Sequence, residues 1–393
     1  MEATTFDVVI VGGGLAGLSL ACALRDCRLR IALVESRAPI YPPIYSSAWD
    51  ARVYAISPAN VHFLQTIGVW KHLAVERIAP INSMKIIGDG GARLNFSAYE
   101  SGVLQLGWVL ESSLMARELW ESIKRQSNLT LLCPASPRAL EVTSEAALLT
   151  LDDGRTISGK LLVGADGRDS WVRQAIGLQA FNRPYREMGL VANFECEYPH
   201  RGVARQWFLD DGVLAWLPLP GNRISIVWST SDAAVEELLA LPEDELCARV
   251  ASAGHYELGG VKQITSPAAF PLRLMRVPYT VAPRLALVGD AAHGIHPLSG
   301  HGINLGYQDA KALAELLAAA PSWQDIGEER LLRRYQRVRR EETVLMQSMT
   351  HTLHQLFREK LPGLKLLRNL GMNLTNGLPL VKNLLVRYAL GAF

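Results

Sequence analysis

The stretch FDVVIVGGGLAGLSLACAL, residues 6–24, decides how the rest of the chain is read. Phe6 to Val11 is a short β-branched run, as expected of a parallel strand buried on both faces. It leads directly into Gly12, Gly14 and Gly17, spaced as GxGxxG, after which Leu18 to Arg25 reads as a helix with small residues on one side. A second strand, Arg30 to Val34, ends at Glu35. Gly12 permits the tight turn, Gly14 lets a pyrophosphate approach the backbone, and Gly17 lets helix and strand pack closely. The helix start supplies unpaired N–H groups and the positive end of its dipole. Glu35 is placed to accept hydrogen bonds from adenosine ribose hydroxyls. This order of parts predicts a dinucleotide site without choosing between FAD and NAD.

The same stretch does not suit a signal peptide or membrane span. No Lys or Arg precedes it, Glu2 and Asp7 flank or enter it, and four glycines punctuate six residues. The expectation is a soluble, cytoplasmic protein. A chain of 393 residues has room for two or three packed units, and 49% hydrophobic with 20% charged residues excludes disorder. A net charge of +2 gives no field that would gather nucleic acid, so no such partner is expected. Cys22, Cys27, Cys133, Cys196 and Cys247 are odd in number and without CxxC spacing, which suits free structural thiols.

Two later segments repeat the pattern of an acid after an apolar strand. Leu161 to Val163 precedes Gly164-Ala165-Asp166-Gly167, with Ser170 and Arg173 following. Leu285 to Val288 precedes Gly289-Asp290, and the loop beyond it reaches Gly302-Ile303-Asn304. Both acids stand at the carboxyl ends of strands, where open α/β sheets bind ligands.

With these three segments the chain resembles the class A flavoprotein monooxygenases, the group containing para-hydroxybenzoate hydroxylase. Within the group it is most similar to the ubiquinone-biosynthesis hydroxylases, through ALVGDAAHGIHPLSGHGINLGYQDA and the tail LLRNLGMNLTNGLPLVKNLLVRYALG. The resemblance spans essentially the whole chain. It implies FAD as cofactor and NAD(P)H as reductant. It also implies O2 as co-substrate and a polyprenylphenol or quinone-type lipid as substrate. Asp290 would hydrogen-bond the ribityl chain, and Asp166 would lie near the pyrophosphate, in a segment also linked to nicotinamide-cofactor binding. Gly302, Ile303 and Asn304 would bring helix-start amides to the pyrimidine edge of the isoalloxazine, where negative charge develops on reduction. Arg52 matches a position that approaches the flavin and its phosphates. His301 stands where the family usually has Gln, which puts the pH dependence near the flavin in question. A biosynthetic complex and a peripheral contact with the inner membrane are further implications.

The architecture expected is α/β: a Rossmann-like FAD-binding domain with an inserted antiparallel β-sheet substrate domain and a C-terminal helical tail. The FAD domain comprises residues 1–80, 100–180 and 270–345, the substrate domain 81–99 and 181–269, and the helical region 346–393. VARQWFL, GVLAWLPLP and RISIVWST supply strands separated by turn residues at Asp210-Asp211-Gly212 and Pro220-Gly221-Asn222. Trp207, Trp216 and Trp228 on these strands either wall a large apolar ligand or pack a core.

The implied reaction is reduction of FAD, addition of oxygen at flavin C4a, and transfer of the distal oxygen to an electron-rich ring carbon in a dry site. No side-chain nucleophile is required, no Gly-x-Ser-x-Gly elbow is present, and no catalytic residue is singled out. A flavin-dependent reductase or a non-catalytic FAD-binding scaffold would share the fold. A halogenase would show paired tryptophans, which LAWLPLP does not match. His293, His296 and His301 lack the partners of a zinc set, so no metal is expected. Arg333, Arg334, Arg337, Arg339 and Arg340 form either a solvated helix face or a contact for lipid headgroups or an acidic partner. The tail, with Lys360, Lys365, Arg368, Lys382 and Arg387, either caps the core or lies on a bilayer.

Overall fold

The computed structural model describes residues 3–41, 48–294, 302–358, 362–378, 382, 385 and 386. His296, His301, Lys360 and Arg387 lie outside the described residues.

The opening strand, Thr4–Val11, is the centre of an eight-stranded sheet. Thr156–Gly164 and Ile31–Val34 flank it in parallel, and Leu285–Leu287 and Leu129–Leu132 extend the parallel run on either side. Val8, Val9 and Ile10 have no exposed surface, which is why this strand is uniformly apolar. An antiparallel pair, Pro137–Val142 and Ala147–Leu151, continues from Thr156–Gly164. The first helix is Leu15–Ala23, starting earlier than Leu18 because Gly14 is already its N-cap. It has no polar face, since it packs against helices Gly302–Ala319 and Ser112–Lys124 as well as the sheet.

The nine-stranded sheet gathers Ser83–Ile87 and Arg93–Ser97 with strands between residues 181 and 276, and ends at His293–Gly294. VARQWFL is the strand Val203–Leu209; Gly212–Leu219 and Arg223–Ser231 follow, all antiparallel in register. Trp207, Trp216 and Trp228 are core residues. With Leu190, Leu214 and Ile226 they pack beneath two helices, Asp232–Ala240 and Glu243–Ala253, that cover one face of the sheet. A Cβ at Gly254 would meet Trp216 at 2.1 Å, so the packing there is close.

The opposite face carries the intervening residues. Ala204, Leu217 and Leu219 pack with Val53, Ile81 and Val109 of a three-stranded sheet formed by Val53–Ile56, Gly107–Glu111 and Ala79–Ile81. A thirty-residue helix, Glu329–Arg358, runs through residues 345–346 without a break and joins the parallel-sheet unit to the helix Pro362–Asn376. The five cysteines are free.

Candidate cofactor and substrate site

The three motif turns converge because their strands are neighbours. Leu285–Leu287, Thr156–Gly164 and Thr4–Val11 lie side by side in parallel, so the turns after them emerge at one sheet edge. Gly12 adopts φ +110°, and a Cβ there would meet the Ala165 carbonyl oxygen at 2.4 Å; the first and second turns touch through backbone. At Gly17 a Cβ would lie 2.0 Å from the Gly12 carbonyl oxygen. Gly14 differs: among the described residues nothing lies within 4 Å of a Cβ placed there. Glu35 reaches over the turn, its Oε2 accepting from the Gly13 amide at 2.5 Å and its Oε1 from Ser36 and Arg37.

In the second turn Asp166 Oδ2 accepts from Val172 N at 2.9 Å, and Ser170 Oγ caps the same helix through Arg173 N. Among the described residues Asp166 Oδ1 is buried without a hydrogen-bond partner. The buried Arg173 guanidinium donates to the carbonyls of Ala291 and Arg168, tying the second turn to the third.

Beneath the third turn lies an ionic network that the sequence did not announce. Asp309, on helix Gly302–Ala319, accepts from Gly289 N at 2.9 Å, from His293 Nε2 at 2.6 Å and from Arg339 Nε at 2.8 Å. All three side chains are buried. Burial alone would lower the His293 pKa, but the Asp309 carboxylate more than offsets this and holds it above 6.5. Burial likewise opposes ionisation of Asp309, and His293 with Arg339 nevertheless depress its pKa below 3.8. His293 therefore has a buried ionic partner, and among the described residues no cluster suited to a metal occurs. Arg339 leaves the solvated arginine face for this network, while Arg333, Arg334, Arg337 and Arg340 are exposed.

Gly302 and Ile303 begin their helix as expected, but the Asn304 side chain turns inward. Its Oδ1 accepts from Ser57 N and Asn60 Nδ2, and its Nδ2 donates to Ala55 O. The opening N–H groups of a helix have no intrahelical acceptor, so what this turn can offer a ligand is main chain rather than the Asn304 side chain. Arg52 is exposed, its guanidinium 5.4 Å from the Tyr54 ring centroid. Tyr54, not anticipated from sequence, feels both Arg52 and Asp290. Burial pushes its phenol above 10.0, Arg52 pulls the other way, and Asp290 adds to the rise.

The nine-stranded sheet has partly accessible positions on the face away from its covering helices. Ala215 and Val227 are register partners in mid-sheet, where side chains are normally sealed, yet both are partly accessible, as is Leu217. Asn193 Nδ2, on the neighbouring strand, donates to Asp50 O, which brings this face to the segment carrying Arg52.

The FAD binding domain family matches residues 5–348 of this sequence. The chain belongs to that family. FAD is accordingly its cofactor, and the cradle fits it: open space at Gly14, close backbone approach at Gly12 and an unpartnered buried oxygen on Asp166. The chain is 37% identical to a ubiquinone hydroxylase of Rhodospirillum rubrum, covering 98% of this chain and 89% of that protein. It is 34% identical to the 3-demethoxyubiquinol 3-hydroxylase of Escherichia coli, covering 98% of each. The crystal structure of p-nitrophenol 4-monooxygenase from Pseudomonas putida shares the fold, with a TM-score of 0.77 and 18% identity over 98% of this chain and 97% of that one.

Proposed function

We propose that this flavoprotein is a monooxygenase that hydroxylates the aromatic ring of a polyprenylphenol or quinone precursor in ubiquinone biosynthesis, with NAD(P)H as reductant and O2 as oxidant. The observation that carries the reading is the full-length likeness to two proteins named as hydroxylases of ubiquinone biosynthesis. The partly accessible Ala215, Leu217 and Val227, on the sheet face that Asn193 ties to the Arg52 segment, offer an apolar surface consistent with it.

Bound FAD supplies the electron transfer and oxygen activation. The chain's residues bind, orient and keep the site dry. Gly12, Gly14 and Gly17 shape the pyrophosphate cradle, with Asp166 beside it, and Glu35 accepts from the adenosine ribose. Asp290 holds the ribityl chain, and Arg52 approaches the flavin. The amides of Gly302, Ile303 and Asn304 face the ring where negative charge grows, at the positive end of an eighteen-residue helix. Tyr54, whose phenol pKa burial and Asp290 push up, is a neutral side chain near Asp290. The parallel sheet serves as the flavin unit and the nine-stranded sheet as the substrate unit. A peripheral membrane contact and a biosynthetic complex belong to the same proposal; no helix among the described residues is long and apolar enough to cross a membrane.

The test is incubation of FAD-loaded protein with a polyprenylphenol in detergent, NAD(P)H and isotopically heavy oxygen, followed by mass spectrometry. One heavy atom in the ring is the expected product. A reduced, unlabelled product would establish a reductase, and FAD binding without substrate-stimulated NAD(P)H oxidation a scaffold.

A further inference from the structure

Asp50 spends every polar atom it has on holding its segment in place. Its N–H donates to Glu111 Oε1 at 2.7 Å, and its carbonyl oxygen accepts from Asn193 Nδ2 at 2.9 Å. Of its carboxylate, Oδ1 accepts from Arg52 N and Oδ2 from Ser113 N, each at 2.9 Å. The partners come from the strand Gly107–Glu111, the strand Phe181–Cys196, the residue two further along and the start of the helix Ser112–Lys124.

Two of these partners are themselves fixed. The buried Glu111 carboxylate is clasped by Arg77 through Nε at 2.8 Å and a terminal nitrogen at 2.7 Å, the strong, forked kind of ion pair. The same guanidinium donates to Ala48 O and lies 4.0 Å from the Trp49 ring centroid. Asn193 is more telling. It has no exposed surface, and among the described residues its Oδ1 is buried without a hydrogen-bond partner. Leaving such an acceptor unpaired costs about 1–3 kcal/mol. An apolar side chain would serve the sheet better, so Asn193 is there for its bond to Asp50.

What this bracing holds still is Arg52. Its N–H is taken by Asp50 Oδ1, and its carbonyl accepts from Ser112 N at 2.9 Å, so both of its backbone groups are fixed. Its side chain is not. Arg52 is exposed and forms no ion pair among the described residues, whereas Arg77, Arg205, Arg284, Arg339 and Arg368 each end on a carboxylate. Its guanidinium stands 5.4 Å from the ring centroid of Tyr54, a residue that also feels Asp290. A fixed backbone beneath an uncommitted guanidinium is preorganised for an anionic ligand, because little order remains to be gained on binding.

We propose that Asp50 is a positioning residue for the cofactor, setting the backbone that presents Arg52 to FAD and tying that backbone, through Asn193, to the nine-stranded sheet. Its own polar atoms are all engaged, so it acts through Arg52. The inference rests on the reading of Arg52 as a residue that approaches the flavin and its phosphates. It gives the substrate unit a physical route to the cofactor, along Asn193, Asp50 and Arg52.

The experiment is a double-mutant cycle on FAD affinity, read by flavin fluorescence as FAD is titrated into the full-length apo protein. Arg52→Ala should weaken binding about tenfold or more, as for loss of a charge-assisted contact. Asp50→Ala should weaken it about fivefold, because Arg52 then has to be ordered by the ligand. The double variant should bind within about twofold of Arg52→Ala alone, since Asp50 has nothing left to position. Effects that multiply would show that Asp50 supports the fold without regard to Arg52, and would overturn the proposal. Wild-type affinity in either single variant would overturn it too. If Asp50→Ala loses its circular dichroism, Asn193→Ala takes its place in the same cycle with the same expected pattern, because it leaves the Asp50 side chain and the helix start intact. The titration needs neither substrate nor turnover. Failure of ring labelling in the heavy-oxygen experiment would therefore sink the hydroxylase reading and leave this cycle unchanged.

Discussion

Single glycines and single polar side chains decide most of the candidate site, and two of the glycines should behave in opposite ways. Gly14 has an extended backbone, with φ −75° and ψ 178°, and empty space before it. Gly14→Val should therefore fold normally yet purify largely colourless, because the new side chain fills volume meant for phosphate. Gly17→Val should not fold, since its Cβ would lie 2.0 Å from a carbonyl oxygen of the same turn. Circular dichroism and visible absorbance on both variants check the pair; yellow Gly14→Val protein would remove the cradle argument. Asp290→Ala should weaken FAD binding about tenfold to a hundredfold, as expected for loss of a charge-assisted hydrogen bond. Asn304→Leu should cost about 2–4 kcal/mol in urea denaturation, because it strands Ser57 N, Ala55 O and Asn60 together. The spacing of the glycines and acids was legible at this scale. The inward turn of Asn304 was not, since a side chain's direction depends on which neighbours the fold delivers.

At the scale of elements, the network of Asp309, His293 and Arg339 locks the third turn to two helices. Arg339→Met should destabilise the protein by about 3–5 kcal/mol, by leaving a buried carboxylate short of a partner. The network also predicts a pH dependence. The raised pKa of His293 makes its contribution complete below about pH 6.5, and that contribution is lost as pH rises through the raised value. The depressed pKa of Asp309 makes its contribution present above 3.8 and lost as pH falls through the lowered value. The melting-temperature gap between wild type and His293→Gln should thus be widest between these limits and narrow in alkali. A gap that stays constant from about pH 6 into strong alkali would contradict this. The sequence put Arg339 on a helix and a helix start at Gly302–Asn304, but the thirty residues between Asp309 and Arg339 concealed that they meet. An arginine among five in one stretch reads as solvated until a tertiary partner removes it from solvent.

For the whole molecule, the proposed FAD cradle joins separate stretches of chain, so removing FAD should loosen more than one unit. The apo protein should melt cooperatively at lower temperature, with FAD restoring about 4 kcal/mol when present at roughly a thousand times its dissociation constant. Calorimetry with and without added FAD checks this, and identical transitions would argue that the cradle is empty of function. The sequence by itself determined the parallel strands, the motif turns, the strand-rich insertion and hence a dinucleotide site, with FAD coming from the family resemblance. Those signals are local: a β-branched run, a glycine where backbone must pass close, an acid at a strand end. Tertiary structure alone decided that the three tryptophans are core, because alternation along a strand defines two faces without saying which is covered. Helices Asp232–Ala240 and Glu243–Ala253 cover one face, leaving Ala215 and Val227 accessible on the other. It decided equally that the helix Pro362–Asn376 holds on by Asn369, Asn373 and Asn376 and shows Leu366, Leu367, Leu370 and Leu374 to the outside. Amphipathic spacing marks two faces on a helix, and only packing shows which one the protein keeps for itself.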